Sequence, residues 1–390
     1  MPVDLSGVLR AEFNSARNEY EKAAGRGNYR LAREKAMKCA RLLEQMAQNT
    51  PRQKTAYLAS AKKWQTTAES IQANTFKKVV EKETNEEEFI SHIEALISTS
   101  PVVWEDIGGL EEPKQLLMET VVIAALKKPE SIKPWRGILL FGPPGTGKTL
   151  LAAAAAGSLG ATFFNVSADK VLSKYYGETS KLIATLYEVA TKKAERVPSI
   201  VFIDEFDALS PSRGDDTSEP SRRALGTLLA QLDGFRDKKT DKLVLTLVAT
   251  NIPWDLDTAI LSRFPQRIYV PLPDIKATAE IIRLQTRELD ISGVNMPALA
   301  EECQRKSYSG RDISYLCQQA IWHMIREENK GLHQLARLPY EELRGKSLKT
   351  RPLTNTDFST ALDNIKTPLS REGLERYNKW MEEFGGAMIR

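Results

Sequence analysis

The chain has 390 residues, 42% of them apolar and 27% charged, a balance that excludes a disordered or collagen-like polypeptide and allows two or three globular domains. Its opening MPVDLSGVLR carries no apolar signal core, and no stretch reaches the roughly 18 uninterrupted apolar residues of a membrane span, so a cytoplasmic protein is expected. The net charge of +4 is small and uneven, with 16 Lys and Arg against 8 Asp and Glu up to Lys82 and a net-negative remainder.

Apolar positions step by threes and fours through Leu9, Phe13, Ala16 and Tyr20, then through Tyr29, Ala32, Ala36, Cys39, Leu43 and Met46, then through Tyr57, Ala61, Trp64, Ala68 and Ile71. This spacing predicts three helices, broken at GRGN (25–28) and at NTP (49–51), where Thr50 would cap a helix starting at Pro51. They make a three-helix bundle over 1–75, its apolar residues forming the core and its basic outer grooves the functional surface. The charged stretch 76–100 reads as part linker, part helix. Cys39, Cys303 and Cys317 are an odd number without a CxxC pair, beside three histidines, so neither a disulfide framework nor a zinc site is indicated and reduced, buried thiols are expected.

From 101 onward, ILLF (138–141), ATFFNV (161–166), SIVFID (199–204), LVLTLVAT (243–250) and RIYVPL (267–272) alternate with helical stretches. That alternation predicts an α/β domain over 101–273, a five-stranded parallel sheet with helices on both faces. After Pro273 strand signals stop, and helices at 278–289, 296–306 and 312–328 predict a small helical lid over 274–390 that ends in a helix at 370–384.

GPPGTGKT (142–149) follows the strand ILLF and precedes the helix former LLAAAAA, the order a phosphate-binding loop needs. Gly142, Gly145 and Gly147, with Pro143, Pro144 and Thr146 between them, let backbone N–H groups curl around a β-phosphate at a helix N-terminus that continues into Leu150. Lys148 would reach the β- and γ-phosphates and the Thr149 hydroxyl would ligate Mg²⁺. In SIVFIDEFDAL, Asp204 ends a buried strand where it can hold Mg²⁺ through water, and Glu205 is the candidate base for an attacking water. Asn251 ends a further strand, where its amide could orient that water or simply start a turn.

Together with WEDIGGLEEPK (104–114), AILSRFPQRIYVPLP (259–273) and YSGRDI (308–313), these motifs resemble the AAA ATPases over roughly 102–387. The ending LTNTDFSTALDNIKTPLSREGLERYNKWMEEFGGA is similar to the C-terminal helices of their meiotic branch, which includes katanin, spastin, fidgetin and the vacuolar-sorting ATPase that dismantles ESCRT filaments. The N-terminal bundle resembles the microtubule-interacting and trafficking (MIT) domain these enzymes carry. The resemblance implies ATP and Mg²⁺ as cofactors, with nucleotide contacts from Asp106, Ile107, Gly108, Gly310 and Arg311. It also implies an ATP-dependent homohexameric ring that threads a polypeptide through its centre. SKYYGE fits the pore loop of that branch, giving Tyr175 the grip on the threaded chain with Tyr176 beside it, although by themselves these aromatics would be read as local packing. The polar segment 213–223 would form a second pore loop.

An arginine supplied by the neighbouring protomer can stabilise charge on the γ-phosphate, worth about 10³ to 10⁵ in rate in GTPases. The meiotic branch usually carries two such fingers within AIRRRF. Here the segment is AILSRF, so Arg263 matches the second finger and Ser262, with no cationic fork, stands in place of the first. Arg311 replaces a usually small residue near the adenine. It is either a solvent-exposed helix start or a contact to nucleotide from the same chain that offsets the missing finger. The segment 330–353 is too short and strand-poor for the β-insertion of the vacuolar-sorting ATPase, as in katanin, whereas the short linker after the bundle is unlike katanin's.

Three functions follow. The first is ATP hydrolysis that extracts subunits from a protein polymer, an ESCRT-like filament or a microtubule, bound through the basic bundle. The second is a nucleotide-gated assembly module that turns over slowly because Ser262 weakens the shared site. The third, a nucleic-acid motor, is disfavoured because the bundle lacks a concentrated Lys/Arg run or interleaved aromatics, and no direct nucleic-acid binding is expected.

Overall fold

The computed structural model describes residues 6–25, 28–49, 54–98, 102–129, 131–132, 134–174, 178–209, 219–237, 242–367 and 369–385. The chain divides between Phe89 and Ile90 into two compact units.

The first unit is built on α1 (Ser6–Gly25), α2 (Tyr29–Asn49) and α3 (Lys54–Ala95). Small residues fill its core: Ala32, Ala36 and Cys39 are wholly buried, and Leu43, Met46 and Ala61 nearly so. Trp64 presents its ring edge-on to Phe13 and Tyr20, with centroids 6.3 and 5.0 Å away. The stretch expected as part linker is helical as far as Ala95, because no glycine or proline occurs between Lys54 and Ala95 to stop α3. The Thr50–Pro51 start lies outside the described residues.

The second unit begins with β1 (Ile97–Ser98), then a short 3₁₀ turn at Trp104–Asp106 and α4 (Glu111–Ala125). There follow β2 (Gly137–Phe141), α5 (Lys148–Ser158), β3 (Thr162–Ser167), α6 (Ala168–Lys174), α7 (Thr179–Lys193), β4 (Ser199–Asp204), α8 (Glu219–Asp237), β5 (Val244–Thr250), α9 (Thr258–Arg263) and β6 (Gln266–Tyr269). The sheet order is β1-β3-β4-β5-β2-β6. The five expected strands are all parallel neighbours, and the sheet has a sixth, β1, antiparallel to β3. Two residues are too short to show a period, so β1 left no trace in the hydropathy pattern.

Register places the site. Phe141 pairs with Thr250 and Tyr269, and Ser167 pairs with Asp204. The turns that leave β2, β4 and β5 therefore emerge side by side, with β2 between β5 and β6 where the chain switches direction across the sheet. Strands β2 and β5 are buried along their whole length, and Ala152, Ala154 and Ala155 on α5 have no exposed surface. The alanine run lets α5 lie close to the sheet and puts its N-terminus, with the phosphate loop, at the edge of the cavity described below.

The lid comprises α10 (Ile275–Gln285), α11 (Met296–Arg305), α12 (Gly310–Glu328), the short α13 (Leu332–Leu335) and α14 (Tyr340–Arg344), and α15 (Asn355–Asn364). It encloses its own core of Ile282, Tyr308, Ile313, Leu316, Met324, Leu353 and Phe358. Helix α10 starts three residues earlier than the periodicity indicated, because Asp274 caps it by accepting the Ala277 N–H at 2.7 Å. The chain ends, among the described residues, with α16 (Arg371–Phe384), whose Trp380 packs on Phe141 with ring centroids 4.5 Å apart. Among the described residues no helix is long and apolar enough to cross a membrane.

Candidate nucleotide site

A cavity of about 430 Å³ opens between the C-terminal edge of the sheet and the lid. Its lining brings together Asp106, Ile107, Gly108, Pro144, Gly145, Thr146, Gly147, Lys148, Thr149, Leu150, Asp204, Glu205, Asn251, Gly310 and Arg311, all expected from the sequence. Gly142 and Pro143 lie beneath it, their carbonyls each accepting from Lys148 Nζ at 2.9 Å. Arg263 lies outside the lining. Tyr175 and Tyr176 lie outside the described residues.

The loop needs its glycines. Gly145 has φ +78°, and a Cβ there would lie 2.7 Å from Ser309 Oγ and 2.9 Å from the Arg311 Cβ, so only hydrogen lets the lid approach the loop. The Arg311 N–H donates to the Gly145 carbonyl at 3.0 Å, joining the start of α12 to the phosphate loop. Lys148 is nearly buried, and its ammonium is lowered from its ordinary value to about 8. Burial is the main cause, Arg311 adds to it, and Asp204 and Asp207 oppose it.

Thr149 Oγ1 donates to Asp204 Oδ2 at 2.8 Å, so a hydroxyl and a carboxylate that suit a hard divalent cation already face each other. Glu205 adopts φ +54°, a left-handed conformation uncommon for a side chain of this size, which turns it out of the strand direction of β4. Its Oε2 accepts from the Ser167 hydroxyl at 3.3 Å. Leu110, also with positive φ, lines the same cavity, so two of the three described non-glycine residues of this kind are at the site. Asn251 leaves β5 beside Thr250, whose hydroxyl donates to Asp207 Oδ1 at 2.7 Å and accepts from the Ile252 N–H at 3.0 Å.

Residues not singled out in the sequence complete the cavity. Ile281, Leu284, Gln285 and Ser314 come from the lid, and Pro271 and Pro273 from the chain entering it. Buried Lys114 donates to the Ile107 carbonyl at 2.7 Å and fixes the turn that carries Asp106 to Gly108. Asp207 was readable as the third carboxylate of DEFD, whereas the lid residues carry no local signal.

Arg263, at the end of α9, bonds Asp233 on α8, Nη2 to Oδ2 at 3.0 Å, and donates through Nη1 to Ser262 Oγ at 2.9 Å. Arg267 acts inside the chain. It donates to the carbonyls of Leu261 at 2.9 Å, Phe264 at 3.2 Å and Phe384.

A strand, a glycine loop, a helix N-terminus with a buried lysine, and an acidic pair on the adjoining strand define a phosphate-loop nucleoside triphosphatase. The family model described as ATPase family associated with various cellular activities (AAA) matches residues 138–272, and that described as Vps4 C terminal oligomerisation domain matches residues 335–385. The crystal structure of the FIGL-1 AAA domain in complex with ADP is 34% identical, covers 77% of this chain and 97% of its own, and superposes with a TM-score of 0.64. A structure described as the structural basis for katanin self-assembly is 31% identical, covers 75% of this chain and 96% of its own, with a TM-score of 0.57. The chain belongs to the AAA ATPase family, in its meiotic branch, and is an ATPase.

The katanin-like p60 ATPase-containing protein of Homo sapiens, of the A-like 1 type, is 41% identical over 305 residues, 75% of this chain. Its counterpart in Danio rerio is 41% identical over 303 residues. The match spans 60% of the length of each of these curated relatives.

Proposed function

We propose that this chain is the Mg²⁺-ATP hydrolysing protomer of a cytoplasmic homohexameric ring that threads or extracts protein subunits to disassemble a protein polymer. The observation that carries this reading is the assembly in one cavity of the loop Gly142–Thr149, the Thr149–Asp204 pair, Glu205 and Asn251, while Arg263 stays outside it. That arrangement supplies everything for hydrolysis except a finger for the γ-phosphate, which a neighbouring copy would bring.

In this reading Lys148 leaves its bonds to the Gly142 and Pro143 carbonyls for phosphate oxygens. Thr149 and Asp204 would hold Mg²⁺, which when bound neutralises developing charge on the phosphates. Glu205 takes the proton of the attacking water, which the Asn251 amide orients. Asp106, Ile107, Gly108 and Gly310 border the base, and Arg311 approaches the phosphates in cis. Tyr175, with Tyr176, grips the threaded chain, and the segment 1–75 acts as a MIT-like recruiting module, 76–100 as the linker, 101–273 as the ATPase domain and 274–390 as the lid. Support for assembly comes from the match to an oligomerisation domain at residues 335–385 and from the similarity to a self-assembling katanin.

A mixing experiment tests the shared site. Arg263→Ala chains and Glu205→Gln chains are each expected to hydrolyse ATP slowly, and their mixture to exceed the sum of both, because a Glu205→Gln copy can lend Arg263 to a neighbour with an intact base. No gain at any ratio, with both variants still binding nucleotide, would count against a finger in trans and favour a slow, nucleotide-gated assembly module.

A further inference from the structure

Helix α16 sits in the segment matched to an oligomerisation domain, yet its inner face is directed at the nucleotide site. The Tyr377 hydroxyl donates to the backbone carbonyl of Asn251, 126 positions earlier in the chain. The Tyr377 ring is nearly buried, tilted on Trp254 at 5.0 Å and stacked on Tyr269 at 6.2 Å. Arg376 lies 3.9 Å over the Trp254 ring, a cation–π contact with the 3₁₀ turn that follows Asn251. One turn further along, Trp380 meets Phe141, the residue before Gly142. Two neighbouring turns of α16 thus touch the two chain segments that leave β5 and β2 for the cavity.

The two contacts differ in kind. Trp380 on Phe141 is apolar packing on a fully buried strand and holds the helix in place. Tyr377 makes a directional bond to the one backbone group whose orientation sets the Asn251 side chain. On its other flank that turn is already fixed by the Thr250–Asp207 bond at 2.7 Å. Tyr377 is therefore the remaining point at which something outside the cavity can rotate Asn251.

We propose that Tyr377 is a positioning residue for hydrolysis: through the Asn251 carbonyl it holds the Asn251 amide in the water-orienting pose, so that the seating of α16 governs turnover and leaves nucleotide binding unchanged. This rests on the role given to Asn251 above. Displacement of α16 by a neighbouring copy or a regulator slows the chemical step while the loop around Lys148 still holds nucleotide.

Tyr377→Phe removes one O–H and keeps the ring contacts, so α16 stays packed. With one directional hydrogen bond lost, kcat should fall about five- to tenfold, while KM for ATP and Kd for ADP change less than about twofold. Turnover is compared at concentrations where variant and wild type sediment alike. In the double variant Tyr377→Phe/Asn251→Ala, the tyrosine change should add nothing to the loss caused by Asn251→Ala, because the amide it positions is gone. An additive loss, an unchanged kcat in Tyr377→Phe, or a defect that disappears when the assemblies sediment alike overturns the inference and leaves the Asn251 assignment standing. Full turnover in Asn251→Ala alone overturns the Asn251 assignment and this inference with it.

Discussion

The sheet edge and the lid close the same cavity but are held by different physics. At the sheet edge, backbone register among buried strands places Gly142, Asp204 and Asn251, so these positions cannot shift one at a time. The lid has a separate apolar core and a charged knot at its rim, where Arg351 bonds Asp357 at 2.7 Å and also Glu327, while His323 Nδ1 lies 2.7 Å from Asp357. The rigid edge supplies the phosphate loop and the acidic pair, and the pinned lid supplies Gly310, Arg311 and Ser314. Groups for the chemistry thus sit on the part of the fold least able to move, and groups that tune it sit on the part that can.

The largest break of that contrast is at the rigid edge. Lys148→Ala should weaken nucleotide binding on the order of 10²-fold, measured by titration calorimetry, without changing the melting temperature of the lid, because a charge-assisted bond to phosphate is lost and no apolar core is touched. Next comes the lid. Arg351→Ala should cost about 2 kcal/mol of lid stability by hydrogen exchange, since the buried Asp357 carboxylate loses its main donor. Burial alone would raise the Asp357 carboxyl, but Arg351, His323 and Thr354 reverse this and hold it well below the usual carboxylate range. A depressed folded value contributes stability above the unfolded carboxyl value of about 4 and loses it as pH falls through the folded value, so the lid should loosen only in acid.

A smaller effect sharpens the contrast at the point where lid and edge meet. Arg311→Ala should slow turnover about tenfold if it serves the γ-phosphate in cis, and an unimpaired enzyme would remove that role. In the nucleotide-free protein Lys148 loses its proton near pH 8, while bound phosphates favour the ammonium. Affinity should therefore fall about fourfold from pH 7 to 8.5. Because Arg311 helps lower Lys148, Arg311→Ala should move that decline to higher pH, an outcome that a solvent-exposed Arg311 would not give.

The site was legible where chemistry is local. GPPGTGKT and IDEFD carry their meaning in consecutive residues, since a loop around a phosphate and a carboxylate at a strand end need only a few adjacent positions. Arg263 and Arg311 were readable as candidates, but their surroundings were not. Arg263 meets Asp233 thirty positions away, and Arg311, on the lid, meets Gly145 near the start of the sheet domain. β1 escaped because two residues show no period, and the length of α3 was underestimated because charged residues without glycine or proline can remain helical.

By itself the sequence determined the parallel α/β core, the phosphate loop, the acidic pair and the helical character of both ends, because each follows from periodicity or from a short motif. Only tertiary structure decided that Arg267 is an internal strut, that Lys148 is lowered by burial and by Arg311, and that Tyr377 reaches the carbonyl of Asn251. The reason is common to all three. Each depends on which distant groups share a desolvated space, and packing of strands and helices, not spacing along the chain, brings those groups together.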